Sequence, residues 1–167
     1  MGNEKVLKAA KQAAVERFAM PLDGIHGPTH WERVRENAIY LVKHSGGDAL
    51  VGELFAQLHD CCRESDGADP SHGLRAARFV ESINETILFL KSDQLEELMF
   101  ACEYHEKGRV TDHPTIGACW DADRLDLGRV AIRPNPQLLS TERAKRKSVI
   151  DWAVKRSHGQ KATLKGS

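Results

Sequence analysis

Apolar residues recur three and four positions apart along almost the whole chain, and no convincing run of alternating apolar and polar residues interrupts them. That spacing confines the chain to an all-α architecture. Prolines and glycines punctuate it. A first helix is expected from Asn3 to Ala19, stopped by Pro21 and Gly24, and a second opens at Pro28, where proline suits a first turn, and closes at Gly46-Gly47. A third covers Asp48 to Cys62, and a fourth follows the Asp69-Pro70 start as far as Ile83. The fifth begins at Asp93, with Glu96 three residues on as a capping box, and ends near His105 before Gly108. A sixth spans Pro114 to Leu127, and a basic last helix runs from Thr141 to Ser157 after the irregular Arg133-Pro134-Asn135-Pro136. With 167 residues, no repeats and no linker, the expectation is one domain over 1–167, a compact bundle of six or seven helices.

Imidazoles and carboxylates fall on the apolar faces of these helices. A charged group there costs free energy unless it is paired or bound to metal. On the second helix His30 lines up with Val34, Ala38 and Leu41; on the third His59 follows Val51 and Phe55, with Asp60 beside it. His72 precedes Ala76, Phe79 and Ile83 at helical intervals, and His105 continues Leu98 and Cys102. Asp123 shares a face with Ile116, Trp120 and Leu127, whereas Asp121 points roughly 160° away, toward the helix surface or a supporting contact. One histidine on an apolar face is ordinarily a hydrogen-bonded core residue. Five helices turning such groups toward one interior describe a metal site inside a helical bundle. Mixed imidazole and carboxylate donors favour Mn, Fe, Co, Ni or Zn over Ca or Mg.

The rest of the composition narrows the setting. Lys and Arg together number 24, as do Asp and Glu, so no net field draws the chain to nucleic acid or to a membrane. Eight basic residues after Thr141 read as a solvated helix face. Cys61, Cys62, Cys102 and Cys119 form no C-x-x-C pair and read as reduced thiols, and the N-terminus has no apolar signal run. A cytoplasmic protein is expected.

The order His30, His59-Asp60, Asp123 resembles the HD-domain superfamily of metal-dependent phosphohydrolases. His30-Trp31-Glu32-Arg33-Val34 looks like its first-histidine motif, and Trp120-Asp121-Ala122-Asp123-Arg124-Leu125-Asp126 resembles its closing motif, over a core of about residues 26–126. The resemblance implies that His30, His59, Asp60 and Asp123 hold a divalent transition metal. His72-Gly73 and His105, followed by Glu106 and Gly108, look like the additional histidines of binuclear members, so one or two metals per chain are implied. With one metal, His72 and His105 would instead meet the substrate phosphate. His26 is expected in a loop lining the mouth, and His44, His113 and His158 on loops or toward solvent. Arg124 is expected either to fork onto phosphate or to make a surface salt bridge. Arg63 departs from the pattern: related alarmone hydrolases carry an acidic residue three positions after the His-Asp pair, and arginine there favours phosphate binding instead.

The activity implied is hydrolysis of a phosphate ester, a nucleotide or another small phosphorylated metabolite, with Asp60 orienting the attacking water and accepting its proton. Two other readings stay open: a metal-binding or ligand-sensing module without turnover, and a structural helical protein whose histidines only satisfy its core.

Overall fold

The structure, a computed structural model, describes residues 2–164; Lys165 of the basic tail lies outside the described residues. Seven α-helices and three short helical turns account for the regular structure among them, with no strand. Helix α1 (Asn3–Arg17) buries Val6, Ala10 and Ala14, a stripe with four-residue spacing, and ends two residues early because Phe18 turns extended to pack edge-on against Trp31, 5.1 Å between ring centroids. Helix α2 (Pro28–Ser45) starts on its proline and stops where Gly46 takes a left-handed φ of 78°.

Helix α3 (Ala49–Leu58) is the central rod. Asp48 caps it through Val51 N–H, and every residue from Val51 to Leu58 except Glu53 is buried, with α1, α2, α5 and α6 packed around it. It is shorter than the sequence suggests: the chain leaves α geometry after Leu58 and passes through turns to Cys62, which presents His59 and Asp60 from the rod's end. Helix α4 (His72–Ile83) also starts later than expected. Asp69 is not its cap; its carboxylate instead takes Arg75 at 2.7 Å and Glu64 N–H at 2.9 Å, holding residues 64–71 as a loop.

A π-turn (Asn84–Leu88) leads to α5 (Ser92–Tyr104). The expected Asp93 to Glu96 box is not formed; the helix starts at Ser92, and Lys91 N–H donates to Gln94 Oε1 at 3.4 Å. Helix α6 (Pro114–Arg124) gives way to a 3₁₀ segment, Leu125–Val130, where one long helix was expected. A short 3₁₀ turn, Pro136–Leu138, precedes α7 (Lys147–Ser157). The last helix does not begin at Thr141, because that residue's N–H and hydroxyl are both bound to Asp121 and residues 141–146 stay in turns.

All four cysteines are free and buried, with Cys61 and Cys62 Sγ 3.8 Å apart. Among the described residues no helix is long and apolar enough to cross a membrane.

Helix α4 packs tightly against α5 at Gly73. A methyl group there would lie 2.6 Å from Cys102 O and 2.7 Å from Glu103 O, both backbone atoms. Gly73→Ala therefore separates the two helices that carry His72 and His105. We expect a loss of about 1–3 kcal/mol by denaturant unfolding, the usual cost of overpacking, together with weakened metal binding.

Candidate metal centre

Four histidines converge from four helices: His30 in the first turn of α2, His59 closing α3, His72 opening α4 and His105 closing α5. Each uses Nδ1 to bind its own scaffold. His59 meets Phe55 O at 3.1 Å, His72 meets Asp69 O at 2.6 Å, His105 meets Cys102 O at 2.7 Å, and His30 meets Asp126 Oδ2 at 2.7 Å. The carbonyl and carboxylate oxygens accept here, so each Nδ1 carries a proton, and in the singly protonated ring Nε2 turns a lone pair inward.

Those lone pairs face each other in two sets. His30 Nε2 lies 3.2 Å from His59 Nε2, and His72 Nε2 lies 2.9 Å from His105 Nε2. Asp60, in the turn after α3, stands between them. Its Oδ2 is 3.7 Å from His30 Nε2 and 3.8 Å from His59 Nε2, while Oδ1 is 3.2 Å from His72 Nε2 and 3.6 Å from His105 Nε2. Asp123 Oδ1 joins the first set, 3.4 Å from His30 and 3.7 Å from His59.

The donor set fits a cation. Two imidazole lone pairs in contact repel unless a positive charge lies between them, and both Asp60 Oδ1 and Asp123 Oδ1 are buried without a hydrogen-bond partner. Atoms sharing one transition metal at about 2.0–2.1 Å lie about 2.9–3.4 Å apart, which is the spacing of the two Nε2 pairs. Burial opposes the charge of Asp60, yet the imidazoles around it, His59 first and then His105, His26 and His72, hold its carboxyl well below the usual range. Asp123 is held down in the same way, against burial, by the neighbouring His30 and His59. Burial would also lower the pKa of His30, but the carboxylates of Asp123 and Asp126 beside it raise it above the ordinary value. A cation is demanded at this place, as proton or as metal.

The two sets differ in charge. The first has two carboxylates, Asp60 and Asp123. The second has Asp60 alone, and the Arg63 guanidinium sits beside it, Nη1 being 3.1 Å from His72 Nε2 and 3.7 Å from Asp60 Oδ1. Carbonyls of Ser65 and Gly67 fix that guanidinium from its other side.

The cluster floors a cavity of about 450 Å³, which Asp60, Asp123, His72 and His105 share with Arg63, Arg124 and His26. His26 is in a loop as expected and lines the cavity, but it is buried at the floor rather than at the mouth, with Nδ1 3.0 Å from Asp60 Oδ2. Arg124 makes no surface salt bridge: it is 8% exposed, Nη1 donates to Leu138 O at 2.8 Å, and buried Nη2 has no partner. His44, His113 and His158 lie away from the cluster, on backbone contacts at the ends of α2, α6 and α7.

Two carboxylates require correction or addition. Asp121 does point away from Asp123, but it is neither a surface residue nor a neighbour of the cluster. It is fully buried and accepts Ser140 N–H at 2.7 Å, Thr141 N–H at 2.7 Å and the Thr141 hydroxyl at 2.8 Å, because the loop after the 3₁₀ segment folds over that side of α6. Asp126 is a further site carboxylate, beyond those the helical spacing points to. Its carboxylate accepts His30 Nδ1–H and is forked by Arg33, Nε at 2.6 Å and Nη2 at 2.9 Å. A signal was available: Asp126 follows Asp123 by three residues, as Arg33 follows His30.

No protein-family model and no curated protein matches the chain. The fold does match a solved structure, a predicted HD superfamily hydrolase from an uncultured Thermotogales bacterium determined at 1.45 Å resolution. The TM-score is 0.65 at 22% identity, over 93% of this chain and 84% of that one. The all-α fold is thus shared with that predicted HD superfamily hydrolase.

Asp126 fixes both the tautomer and the direction of His30. Asp126→Asn removes the acceptor charge and leaves Arg33 unpaired beside the ring. Metal affinity should fall about 10- to 100-fold, the usual effect of losing such a supporting carboxylate, as measured by titration with a competing chelator, while circular dichroism keeps its helical signal.

Proposed function

We propose that the chain is a metal-dependent phosphohydrolase of the HD-domain superfamily, cleaving the phosphate ester of a small molecule. One observation carries the reading: two facing Nε2 pairs share the buried carboxylate of Asp60, at the floor of a cavity with a partnerless arginine nitrogen. His30, His59, Asp60 and Asp123 would hold the tighter divalent transition metal, and Asp60, His72 and His105 a weaker one. When bound, metal supplies Lewis acidity and a water acidic enough to ionise near neutral pH.

The chain's own residues do the rest. Arg124 Nη2 takes a phosphoryl oxygen, a charge-assisted bond that strengthens as charge builds on the phosphate. Arg63 Nη1 offers a second donor from the opposite side of His72. Asp60 orients the attacking water and accepts its proton, with its own orientation fixed by His26. A nucleotide is the substrate expected from the motif resemblance; the walls of the cavity bear on that choice below. The alternative, a module that binds metal without turnover, draws support from Arg63, a cation seated where related alarmone hydrolases carry an acid.

Metal analysis and a phosphatase panel with Mn, Co, Ni and Zn test the proposal. His59→Ala and Asp60→Ala should each strip the metal and abolish turnover while helical content holds; unchanged metal content in both would remove them as ligands. Arg63→Gln should raise the stoichiometry toward two at a fixed free-metal concentration, since it deletes a positive charge about 3 to 4 Å from the second donor set, where Coulomb repulsion of a dication is large. Arg124→Ala should cost roughly 10- to 100-fold in kcat/KM, the worth of one hydrogen bond to a charged group. Full metal occupancy with no hydrolysis of any phosphate ester would favour the module without turnover.

A further inference from the structure

Above its polar floor the cavity has an apolar wall: Ile25, Leu127, Val130, Pro134, Leu138 and Leu139. Ile25, Val130 and Leu138 are 42%, 37% and 49% exposed, which puts them toward the mouth, while Asp60, His72 and His105 are buried beneath. Large apolar groups left in water at one cavity mark a surface that a ligand covers. Several polar groups along the wall already have partners. Asn135 Oδ1 accepts Gln137 N–H, and Arg129 donates to Ile25 O and Asp126 O. Glu106 accepts from Lys107. Among the described residues no Phe, Tyr or Trp lines the cavity, and the rings that do, His26, His72 and His105, are engaged with Asp60 and with each other at the floor, so the wall offers a nucleobase no stacking platform.

The wall is also pre-built. Arg124 holds Leu138 by its carbonyl, Asp121 holds Ser140 and Thr141, and Arg129 fastens the 3₁₀ segment to the loop of Ile25. A rigid apolar wall gains affinity from any methylene it covers, without first ordering itself.

Resting on the phosphohydrolase reading for the floor, we propose that the organic half of the substrate is an alkyl or aryl group, seated on Leu127, Val130, Leu138 and Ile25, rather than a nucleoside or sugar. The polar end of the ester goes to Arg124 and the His/Asp cluster, and the apolar end points out through the mouth.

Calorimetry on the metal-loaded protein with alkylphosphonates, whose C–P bond is not hydrolysed, tests this. From methyl- to hexylphosphonate the affinity should rise about fourfold per added methylene, the gain of burying one CH₂. Phosphonate analogues of adenosine monophosphate and ribose 5-phosphate should bind no tighter than methylphosphonate. Val130→Ser and Leu138→Ser, both at partly exposed positions, should each cut the advantage of hexyl over methyl by about fourfold or more. Affinity that is flat with chain length, or a nucleoside phosphonate that outbinds hexylphosphonate, would overturn the apolar assignment and leave the floor intact. Failure of methylphosphonate and inorganic phosphate to bind at all would overturn the floor reading, and this proposal with it.

Discussion

The carboxylate of Asp60 is the point from which the rest of this structure is arranged. It is 2% exposed, and each of its oxygens faces a different pair of imidazoles. An uncompensated carboxylate in such a place costs several kcal/mol, and compensation here means bringing four helix ends to within a few ångströms of one atom pair. Helix α3 must stop at Leu58 so that His59 and Asp60 can project, α4 must start at His72, and α5 must end on His105. The approach of α4 to α5 over Gly73 follows from the same demand, since the two Nε2 atoms of the second pair are 2.9 Å apart.

A pair of lone-pair contacts around a buried carboxylate is stable only with positive charge inside it. The asymmetry of that charge separates the two donor sets. Asp123 adds a second negative group on one side, whereas on the other Arg63 already supplies part of the positive charge. One arginine thus belongs to two balances at once, lowering the draw of the second set for a dication and adding positive charge to the cavity wall above it.

How far this was legible in the sequence differs from residue to residue. The inward histidines could be read because α2, α4 and α5 each bury one face, so position on the wheel decides burial; α3 is buried all round, and there the adjacent His59-Asp60 stood out as polar groups in an apolar rod. Asp123 over Asp121 followed from helical spacing, but the wheel gives a direction and not what covers it. Asp121 points away from the cluster into a loop, Ser140-Thr141, that lies nineteen or twenty residues further on. Asp126 sits past the end of α6, in 3₁₀ geometry, where about 100° per residue no longer holds. The misplaced helix starts share one cause. At Asp69 and Thr141 the side chains with helix-starting propensity are bound elsewhere, to Arg75 and Glu64 N–H in one case and to Asp121 in the other, and that propensity yields to them.

Helix α6 and its 3₁₀ continuation join the two halves of the cavity. Asp123 turns toward the histidines, Arg124 holds Leu138 and leaves one nitrogen free, Asp121 secures the chain at Ser140 and Thr141 from behind, and Asp126 steers His30. Leu127 and Val130, a few residues on, are already wall. Floor and wall are therefore set by one stretch of backbone, but by opposite sides of it. The histidines come from α2 to α5 and do not depend on what the chain does after Val130. Replacements at Val130, Pro134 or Leu138 can reshape what the cavity accepts while the imidazoles keep their spacing, whereas a change at Asp121 reaches the wall through the backbone it fastens. Within this fold, that division lets a fixed arrangement of donors sit beneath a wall that can be reshaped without disturbing it.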